Sequence, residues 1–405
     1  MQDKLRGNLL VGQSGGPSAV INASLCGIIE EASRYSQIEH IYGMGYGIEG
    51  LLHKNLMIDL TGISSSMIKR LYRTPSSILG TCRYKLKEGE YQKVFDILKA
   101  HNIRYLFYIG GGDSMSTAHQ IDRIAKENGY PLRVMGVPKT IDNDLALTDH
   151  CPGYGSAARF NAILTMEVGL DSRAMQTSEP IKIIETMGRN TGWVTAATCL
   201  GKRREDDAPH LIYVPERPFV VDKFLSEVEE VYRRIGWVVV AACEGLKDTS
   251  GELIAADKRE LNIDAFGHPE LGGVGEYLTE LVKDKLKLKA RFDKPGTAQR
   301  ASMTCVSQVD LEEAYLVGKV AVQQAVKGVS GYMVTLVRES TDEYRCTTGL
   351  AKLEEVASKE KYLPDEFINE EANFVTDKYK EYTLPLIGGP LPDYLSSFEE
   401  LTLHT

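Results

Sequence analysis

The sequence predicts an α/β protein in which parallel sheets are covered by helices on both faces. Short apolar runs, which are typical of buried strands, alternate along the chain with amphipathic stretches. At 405 residues the chain is too long for one simple core, so two or three lobes are expected. A composition of 43% apolar and 25% charged residues is that of an ordinary globular protein.

Seven short apolar runs are predicted to form the strands of these sheets. They are residues 9–11, 105–109, 134–137, 181–184, 211–214, 238–242 and 331–337. Apolar residues between 118 and 125 recur at helical spacing and predict an amphipathic helix, and residues 310–327 predict another. The Cys-Pro-Gly-Tyr-Gly segment at 151–155 breaks both patterns and predicts a boundary between lobes.

Charge and cysteine content argue against several functional classes. The formal net charge is −9, from 47 basic and 56 acidic residues, so no global basic field draws the protein to nucleic acid or to a membrane surface. The N-terminus lacks the apolar stretch of a signal peptide, and no run is long enough to span a membrane. The seven cysteines include no Cys-x-x-Cys pair, which argues against a disulfide framework or a zinc site and favours a reducing cytoplasm.

Two glycine-rich turns directly follow predicted strands. Ser14-Gly15-Gly16 follows the first strand, and Gly110-Gly111-Gly112-Asp113 follows the second and leads into the predicted helix. Glycine lets the backbone approach a phosphate closely, and free N–H groups at the start of a helix favour an anion. Neither turn matches a P-loop or a dinucleotide fingerprint, so a purely structural turn remains an alternative.

An acidic turn follows the predicted strand at 134–137. It carries Lys139, Asp142 and Asp144 within the run Pro-Lys-Thr-Ile-Asp-Asn-Asp. One carboxylate could take a proton from an alcohol, another could help to hold a metal, and the ammonium could neutralise a phosphate in transfer. The alternative is a polar turn whose acids cap the next helix.

Arginines beside glycine turns supply the local positive charge that an acidic chain needs in order to bind phosphate. Arg83 lies in a short polar loop, Arg189 follows the strand at 181–184, and Arg291 and Arg300 flank a Pro-Gly pair. Such arginines suit bidentate contacts to phosphate oxygens. Any one of them alone could equally be a solvated surface charge.

These pieces, in this order, resemble the phosphofructokinase family over residues 8 to about 340, which is most of the chain. The matching motifs are Ser14-Gly15-Gly16, Gly-Thr-Cys-Arg-Tyr at 80–84, Gly110-Gly111-Gly112-Asp113-Ser114, Pro-Lys-Thr-Ile-Asp-Asn-Asp at 138–144, Met-Gly-Arg at 187–189, Glu244-Gly245 and Gln299-Arg300. The combination of Thr-Ile-Asp-Asn-Asp with a downstream Met-Gly-Arg is highly specific.

The resemblance implies a role for each matching residue. Asp142 matches the general base that takes the proton from the sugar's 1-hydroxyl, and Asp144 matches a nearby acid that supports the metal. The residues implied on the sugar-phosphate side are Thr140, Met187, Gly188, Arg189, Glu244, Arg291 and Arg300. In the family one of the two arginines that grip the 6-phosphate comes from a neighbouring subunit, so a homodimer or homotetramer is implied.

Two positions bear on the phosphoryl donor. Asp113 stands where ATP-using members carry glycine, and its carboxylate would crowd and repel the α-phosphate of a nucleotide. Lys139 stands at a second such position, where its ammonium would neutralise one phosphate of a compact donor. Both resemble the pyrophosphate-dependent branch, which implies reversible transfer from pyrophosphate to D-fructose 6-phosphate with Mg²⁺. The implied donor-side residues are Gly15, Arg83, Gly111, Asp113 and Lys139, and Asp113 and Asp144 are the candidate magnesium ligands.

Three departures from the family pattern leave alternatives open. Gly112 replaces an aspartate credited with binding magnesium, Pro180 stands near the position of an expected arginine, and Thr297 replaces a common histidine. They leave room for another sugar phosphate, such as sedoheptulose 7-phosphate, or for a weakly active or regulatory paralogue. An ATP-dependent kinase with the same sugar site is the main rival among enzymes. A lipid or NAD kinase and a dehydrogenase fit the motifs less well.

The fold implied is two Rossmann-like three-layer (αβα) lobes of the phosphofructokinase fold, with a C-terminal helical appendage. The donor lobe is expected at residues 1–153 and the sugar-phosphate lobe at 154–298. Residues 299–352 are expected to complete both lobes. Residues 353–405, rich in Glu, Lys and Tyr, are expected to form a surface appendage of helices and turns.

Overall fold

A computed structural model describes residues 5–255, 273–396 and 398–401. The strands are β1 (Gly7–Gln13), β2 (Ile38–Met44), β3 (Met57–Asp59), β4 (Ile103–Gly110), β5 (Arg133–Pro138), β6 (Ile181–Thr186), β7 (Leu211–Tyr213), β8 (Val238–Cys243), β9 (Ala290–Asp293), β10 (Tyr332–Ser340) and β11 (Arg345–Lys352). All seven strands predicted from apolar runs are therefore present.

Helices alternate with these strands, as predicted. The α-helices are α1 (Ile21–Ala32), α2 (Gly47–Lys54), α3 (Ser65–Tyr72), α4 (Glu88–Ala100), α5 (Gly112–Glu127), α6 (Tyr154–Ala174), α7 (Trp193–Ala196), α8 (Val221–Ile235), α9 (Val274–Leu281), α10 (Ala298–Ala301), α11 (Gln308–Val326), α12 (Leu353–Ala357) and α13 (Asp377–Thr383). Short 3₁₀ turns lie at Ala197–Gly201, Asp365–Phe367, Leu384–Ile387 and Phe398–Leu401, and a π turn lies at Val282–Leu286. No helix in the described ranges is long and apolar enough to cross a membrane.

The chain divides into two compact units. Among the described residues, the first unit comprises 5–156 and 300–361, and the second comprises 157–255, 273–299, 362–396 and 398–401. The chain therefore leaves the first unit after Ser156, returns to it at Arg300 and leaves it again after Lys361.

The first unit is built on a seven-stranded sheet of order β11-β10-β5-β4-β1-β2-β3. Strands β2, β1, β4, β5 and β10 are parallel, whereas β3 and β11 run antiparallel at the two edges. Gln13 of β1 is in register with Ile109 of β4, and Gly110 with Pro138 of β5. The carboxyl ends of β1, β4 and β5 therefore lie side by side, so the turns that follow them share one edge of the sheet.

Apolar side chains cover both faces of this sheet, which gives the first unit three layers. One face packs against α1 and α11, and the other against α4, α5 and α12. Helices α1 and α11 approach closely because each has a glycine at the crossing. A Cβ at Gly27 would overlap the carbonyl oxygen of Tyr315, and a Cβ at Gly318 would overlap that of Ser24.

The second unit is built on a four-stranded parallel sheet of order β7-β8-β6-β9. Every residue of β8 is buried, as expected for a central parallel strand. Helix α8 packs against this sheet through Phe224, Val228 and Val231, an apolar stripe at helical spacing. These two units confirm the predicted α/β fold class.

The segment after residue 353 consists of short helices and turns, as predicted, but it is more deeply packed than a surface appendage. Residues 353–361 belong to the first unit, and residues 362 onward belong to the second. In the second unit the Tyr379 hydroxyl donates a hydrogen bond to the carbonyl oxygen of Trp193 at 2.8 Å, and both side chains are buried. Phe367 and Tyr382 complete an aromatic cluster around the indole. This packing could not be predicted from the sequence, because tyrosines in a segment rich in charged residues are also common on protein surfaces.

Candidate active site

The first glycine turn is fixed to neighbouring loops by buried polar groups. The Gln13 amide donates to Asn22 Oδ1 at 2.9 Å and accepts from the Leu79 N–H at 3.1 Å. Gly15 has a φ of +74°, a conformation that side chains rarely adopt, and its N–H donates to the Cys82 carbonyl at 3.3 Å. These bonds hold the turn against the loop that carries Arg83.

The second glycine turn leads from β4 into α5. A Cβ at Gly110 would overlap the Ser114 side chain, so only glycine fits there. Helix α5 begins at Gly112, and its N-cap, Gly111, provides no side-chain hydrogen bond to the first N–H groups. Those N–H groups are therefore available to an anion at the carboxyl edge of the sheet. Asp113 is exposed in the first turn of this helix.

Lys139 follows β5 and carries a buried ammonium, with only 4% of the residue exposed. Its Nζ donates to the Gly16 carbonyl oxygen at 2.7 Å, and its backbone N–H donates to the Gly110 carbonyl at 3.1 Å. Burial lowers the pKa of Lys139 to about 8, and the neighbouring carboxylate of Asp142 opposes that shift. The lysine thus joins both glycine turns.

Two arginines from distant parts of the chain lie near this ammonium. A Cβ on Gly16 would lie 2.9 Å from Nη1 of Arg300, so the guanidinium is next to the first glycine turn. The positive charges of Arg300 and Arg83 also act on this ammonium, since each helps to lower the pKa of Lys139. Three cations therefore gather at the edge where β1, β4 and β5 end.

The acidic turn adopts a conformation that its asparagine makes possible. Asn143 has a φ of +53°, is fully buried and accepts a hydrogen bond from the Cys151 N–H at 3.0 Å through Oδ1. Asparagine tolerates this left-handed conformation better than most residues. The Thr140 hydroxyl oxygen accepts from the Asp142 N–H at 3.1 Å. The carboxylates of Asp142 and Asp144 are thereby held on one rigid turn.

Asp144 has the features of a metal ligand. Its Oδ1 is buried and, among the described residues, has no hydrogen-bond partner. Burial raises the pKa of this carboxyl, a hydrogen bond from Thr140 opposes the shift, and the negative charge of Glu360 adds to it. An orphaned carboxylate oxygen is costly unless something supplies positive charge, and Mg²⁺ typically takes one or two carboxylates together with substrate phosphates. The residues present therefore fit a magnesium ion.

Lys361, a residue that sequence reasoning missed, supports the acidic turn. Its Nζ donates to Asn143 Oδ1 at 3.2 Å and to the carbonyl oxygens of Thr148 and Asp149 at 3.3 and 2.7 Å. Its backbone N–H donates to the Asp144 carbonyl at 2.7 Å. Burial lowers the pKa of Lys361. These contacts join residues more than 200 positions apart, and no local sequence pattern encodes them.

Asp310 is a second supporting residue that sequence reasoning missed. Its carboxylate accepts from the N–H groups of Gly153 and Ser156 at 2.8 and 2.9 Å and from the Ser156 hydroxyl at 2.5 Å. It therefore caps the start of α6, and burial raises its pKa to about 6. Because Gly153 forms a β-bridge with Thr140, this cap also fixes the acidic turn.

In the second unit, the Met-Gly-Arg segment follows β6 and contacts the end of β8. The Met187 N–H donates to Gln299 Oε1 at 3.1 Å, and the Gly188 N–H donates to Glu244 Oε1 at 3.4 Å. A Cβ at Gly188 would clash with Cys243, whose thiol donates to the Gly188 carbonyl at 3.1 Å. The segment and Glu244 therefore form one cluster at the carboxyl edge of this sheet.

Glu244 lies in a mixed-charge environment. Burial raises its pKa, whereas the Gly188 N–H and the positive charges of Lys294 and Arg189 oppose the shift. Lys294 is paired with Glu185 at 2.7 Å. The carboxylate can thus accept hydrogen bonds from a polyol, and cations lie close to it.

Four other positions singled out from the sequence are Arg291 and the three departures from the family pattern. Arg291 on β9 is exposed and forms an ion pair with Glu179. Pro180 precedes β6 and its carbonyl accepts from the Val238 N–H at 2.7 Å. A Cβ at Gly112 would meet nothing within 4 Å, and Thr297 is exposed. None of these contacts assigns a role to the departures from the family pattern.

Apart from Arg291 on β9, the predicted site residues fall into two sets. In the first unit, one edge of the sheet gathers Gly15, Arg83, Gly111, Asp113, Lys139, Thr140, Asp142, Asp144 and Arg300. In the second unit, the ends of β6 and β8 gather Met187, Gly188, Arg189 and Glu244. Arg300 lies with the first set, beside Gly16.

Comparison with known proteins shows the family to which the chain belongs. Residues 8–324 match the family described as Phosphofructokinase. The chain belongs to the phosphofructokinase family. A relative from Xanthomonas campestris pv. campestris, named pyrophosphate--fructose 6-phosphate 1-phosphotransferase, is 42% identical over 95% of this chain and 93% of its own. A second, from Alkalicoccus urumqiensis, is named sulfofructose kinase and is 36% identical over 89% of this chain and 91% of its own.

A solved structure of another family member extends the likeness to the fold. The crystal structure of a pyrophosphate-dependent phosphofructokinase from Marinobacter aquaeolei matches with a TM-score of 0.85 and 38% identity. The match covers 96% of each chain. Both units therefore have counterparts in a phosphofructokinase of known structure.

Proposed function

We propose that this protein transfers a phosphoryl group reversibly from pyrophosphate to the 1-hydroxyl of D-fructose 6-phosphate, giving fructose 1,6-bisphosphate and phosphate. The observation that carries the proposal is the buried ammonium of Lys139 on the first glycine turn, with Arg83 and Arg300 close by. Relatives of similar length, at about 40% identity, are named for this activity.

The donor side suits a short and dense anion. Pyrophosphate concentrates its charge on two phosphates, and three cations and the start of α5 supply matching positive potential within a small volume. A nucleotide must extend further, and the exposed carboxylate of Asp113 in the first turn of α5 would repel its α-phosphate. The cations thus favour a compact diphosphate, and the carboxylate of Asp113 disfavours ATP.

Asp142 is the proposed general base. It takes the proton of the 1-hydroxyl while that oxygen forms a bond to one phosphorus of pyrophosphate, and the bond from that phosphorus to the bridging oxygen breaks. Lys139 and the two arginines neutralise the charge that gathers on the transferred and leaving phosphates. The rigid turn that carries Asp142 fixes the direction of its carboxylate.

Magnesium is the proposed cofactor. Asp144, with its orphaned oxygen, would hold it together with pyrophosphate oxygens, and Asp113 is a weaker second candidate. When bound, the ion would neutralise phosphate charge. Gly112 provides no carboxylate, so the protein would rely on the substrate for more of the magnesium ligands.

The acceptor site is proposed in the second unit. Glu244 would accept hydrogen bonds from sugar hydroxyls, and Met187, Gly188 and Arg189 would line the sugar. Of the two arginines that the resemblance assigns to the 6-phosphate, Arg291 keeps that proposed role, whereas Arg300, which lies beside Gly16, is proposed to serve the donor instead. A homodimer or homotetramer, in which a neighbouring subunit supplies one arginine to the 6-phosphate, remains part of the proposal. Light scattering of the purified protein tests this assembly, and a monomer that is fully active would contradict it. A cytoplasmic location is proposed as well.

A donor-by-acceptor assay tests the whole proposal. Pyrophosphate and ATP are each combined with fructose 6-phosphate, sedoheptulose 7-phosphate and sulfofructose, the last because of the relative named sulfofructose kinase. We expect kcat/KM to be highest for pyrophosphate with fructose 6-phosphate. Efficient turnover with ATP and none with pyrophosphate would refute the donor, whereas turnover only with another sugar would refute the acceptor alone.

The general-base role of Asp142 is tested by removing its carboxylate. Asp142→Asn keeps the size of the side chain and removes the base, so kcat should fall by about 10²–10⁴-fold while the fold is retained. Asp96→Asn, an exposed change on α4, serves as the control and should leave kcat unchanged. Steady-state kinetics and circular dichroism of both variants give the answer. Near-normal kcat in Asp142→Asn would remove Asp142 from this role.

A further inference from the structure

A second polar cluster in the first unit lies apart from the proposed donor residues and takes no part in the mechanism. It combines His150, Glu313 and Cys346, whose candidate ligand atoms all lie within 4.8 Å of one another. His150 follows the acidic turn, Glu313 lies on α11, and Cys346 lies on β11. Three separate elements thus bring one imidazole, one carboxylate and one thiol to a single point.

The cluster is largely buried, and burying its polar groups costs free energy. His150 is 1% exposed and Glu313 7%, and Cys346 is half-buried. The His150 Nε2 atom lies 2.7 Å from Glu313 Oε2. Burying charged or strongly polar groups costs free energy unless their partners satisfy them well. Hydrogen bonds satisfy these groups in the absence of metal, and a divalent cation could take the place of the proton between His150 and Glu313.

We propose that His150, Glu313 and Cys346 form a site for a single Zn²⁺ ion. The set of nitrogen, oxygen and sulfur donors suits zinc, with a fourth position left for water or for the nearby Tyr344 hydroxyl. Mg²⁺ is not expected here because it prefers oxygen ligands alone.

The distances need only small side-chain movements to accept the ion. Zinc bonds of about 2.0–2.3 Å place neighbouring tetrahedral ligand atoms roughly 3.5 Å apart. The imidazole and carboxylate would therefore separate slightly from 2.7 Å, and the thiol would move inward from within 4.8 Å.

Neighbouring groups support the proposed ligands in the way that outer-shell residues support zinc sites. His150 Nδ1 lies 2.8 Å from Asp149 Oδ1, and Arg338 contacts the same carboxylate oxygen through Nε at 3.1 Å and Nη2 at 3.0 Å. The Tyr344 hydroxyl donates to the second Glu313 oxygen at 2.5 Å. A histidine oriented by a carboxylate through its other nitrogen is the usual arrangement around bound zinc.

The ion would link the active-site turn to the rest of the first unit. The segment that contains His150 also provides the Asp149 carbonyl to Lys361 and the Cys151 N–H to Asn143. A bond through zinc would fix this segment to α11 and to the β10–β11 hairpin. The proposed role is therefore structural, and it is independent of the proposed phosphoryl transfer.

Metal binding is tested first on the full-length protein after removal of metal by a chelator and dialysis. Titration with Zn²⁺ against a chromophoric chelator should give one site per chain with submicromolar affinity. Cys346→Ser and Glu313→Gln should each weaken that affinity by at least 10-fold. Cys305→Ser, which changes the other half-buried cysteine, is the matched control and should bind as the parent does.

Cobalt provides a readout that a hydrogen-bonded cluster without a metal would not give. Co²⁺ bound to a thiolate absorbs in the near ultraviolet through sulfur-to-metal charge transfer, so the parent should show this band and Cys346→Ser should lose it. Asp144→Asn should keep the band, since a magnesium site made of oxygen ligands has no sulfur. Absence of the band in the parent, or its persistence in folded Cys346→Ser, would overturn the proposal in favour of a hydrogen-bonded His–Glu–Tyr network without metal.

Discussion

The proposed role of Lys139 at the phosphoryl donor requires a charged ammonium, and burial works against that charge. Its pKa of about 8 lies well below the ordinary lysine value of 10.5, because burial disfavours the charged form. The group is charged below about pH 8 and loses its proton above it. Pyrophosphate bound at the proposed donor site would favour the ammonium and raise the pKa of Lys139.

A pH profile follows from this burial. For pyrophosphate as the varied substrate, kcat/KM should fall above about pH 8, because the free protein loses the ammonium there. The corresponding fall in kcat should occur at higher pH. Lys139→Arg is the matched control, since a guanidinium stays charged throughout this range and should remove the fall even if activity is lower. The same profile in both proteins would show that another group titrates.

Lys361 lies far from the acidic turn in the sequence and holds it through hydrogen bonds. Lys361→Met keeps the length of the side chain but removes the ammonium that holds Asn143 and the Thr148 and Asp149 carbonyls. Because misplacement of a catalytic group by about 1 Å costs up to about 10²-fold, kcat should fall by roughly 10–100-fold while the KM for the sugar changes little.

The control for Lys361 is Lys359→Met, an exposed change two residues earlier in the same segment. It should leave kcat unchanged. Hydrogen exchange supplies the structural readout, since residues 143–149 should exchange faster in Lys361→Met only. A rise in KM with unchanged kcat would assign Lys361 to substrate binding instead of to positioning.

At the scale of elements, the start of α5 requires glycine at one position and accepts a side chain at another. A Cβ at Gly110 overlaps the Ser114 side chain, whereas a Cβ at Gly112 meets nothing within 4 Å. Gly110→Ala should therefore destabilise the protein by about 1–3 kcal/mol through overpacking, and Gly112→Ala should stabilise it by up to about 1 kcal/mol. Denaturant unfolding of the two variants checks this pair, and equal effects would contradict it.

The same elements show what a sequence can predict. Strands β1, β4 and β5 were predictable because buried parallel strands are continuous apolar runs. The glycine turns after β1 and β4 were predictable as candidate sites because open α/β sheets bind ligands at the carboxyl ends of their strands. Asp310 and Lys361 were not predictable, since each meets its partners only after the chain has left the first unit and returned. The His150–Glu313–Cys346 cluster was hidden for the same reason, although cysteine spacing alone had argued against zinc.

At the scale of the whole molecule, the division into two units has a functional consequence. Residues proposed to hold pyrophosphate belong to the first unit, and most of those proposed to hold the sugar belong to the second. Each substrate should therefore protect a different part of the chain. A ligand stabilises the state that it binds by RT ln(1 + [L]/Kd), about 2.7 kcal/mol at 100 times Kd.

Hydrogen exchange with one substrate at a time tests that division. Pyrophosphate with Mg²⁺ should slow exchange at residues 12–16, 81–84, 110–115 and 138–144, whereas fructose 6-phosphate should slow it at residues 187–190 and 243–246. Lys139→Met should abolish the first effect and keep the second, because its ammonium donates to the first glycine turn of the first unit. Protection of residues 187–190 by pyrophosphate alone would mean that the donor and acceptor sites are assigned to the wrong units.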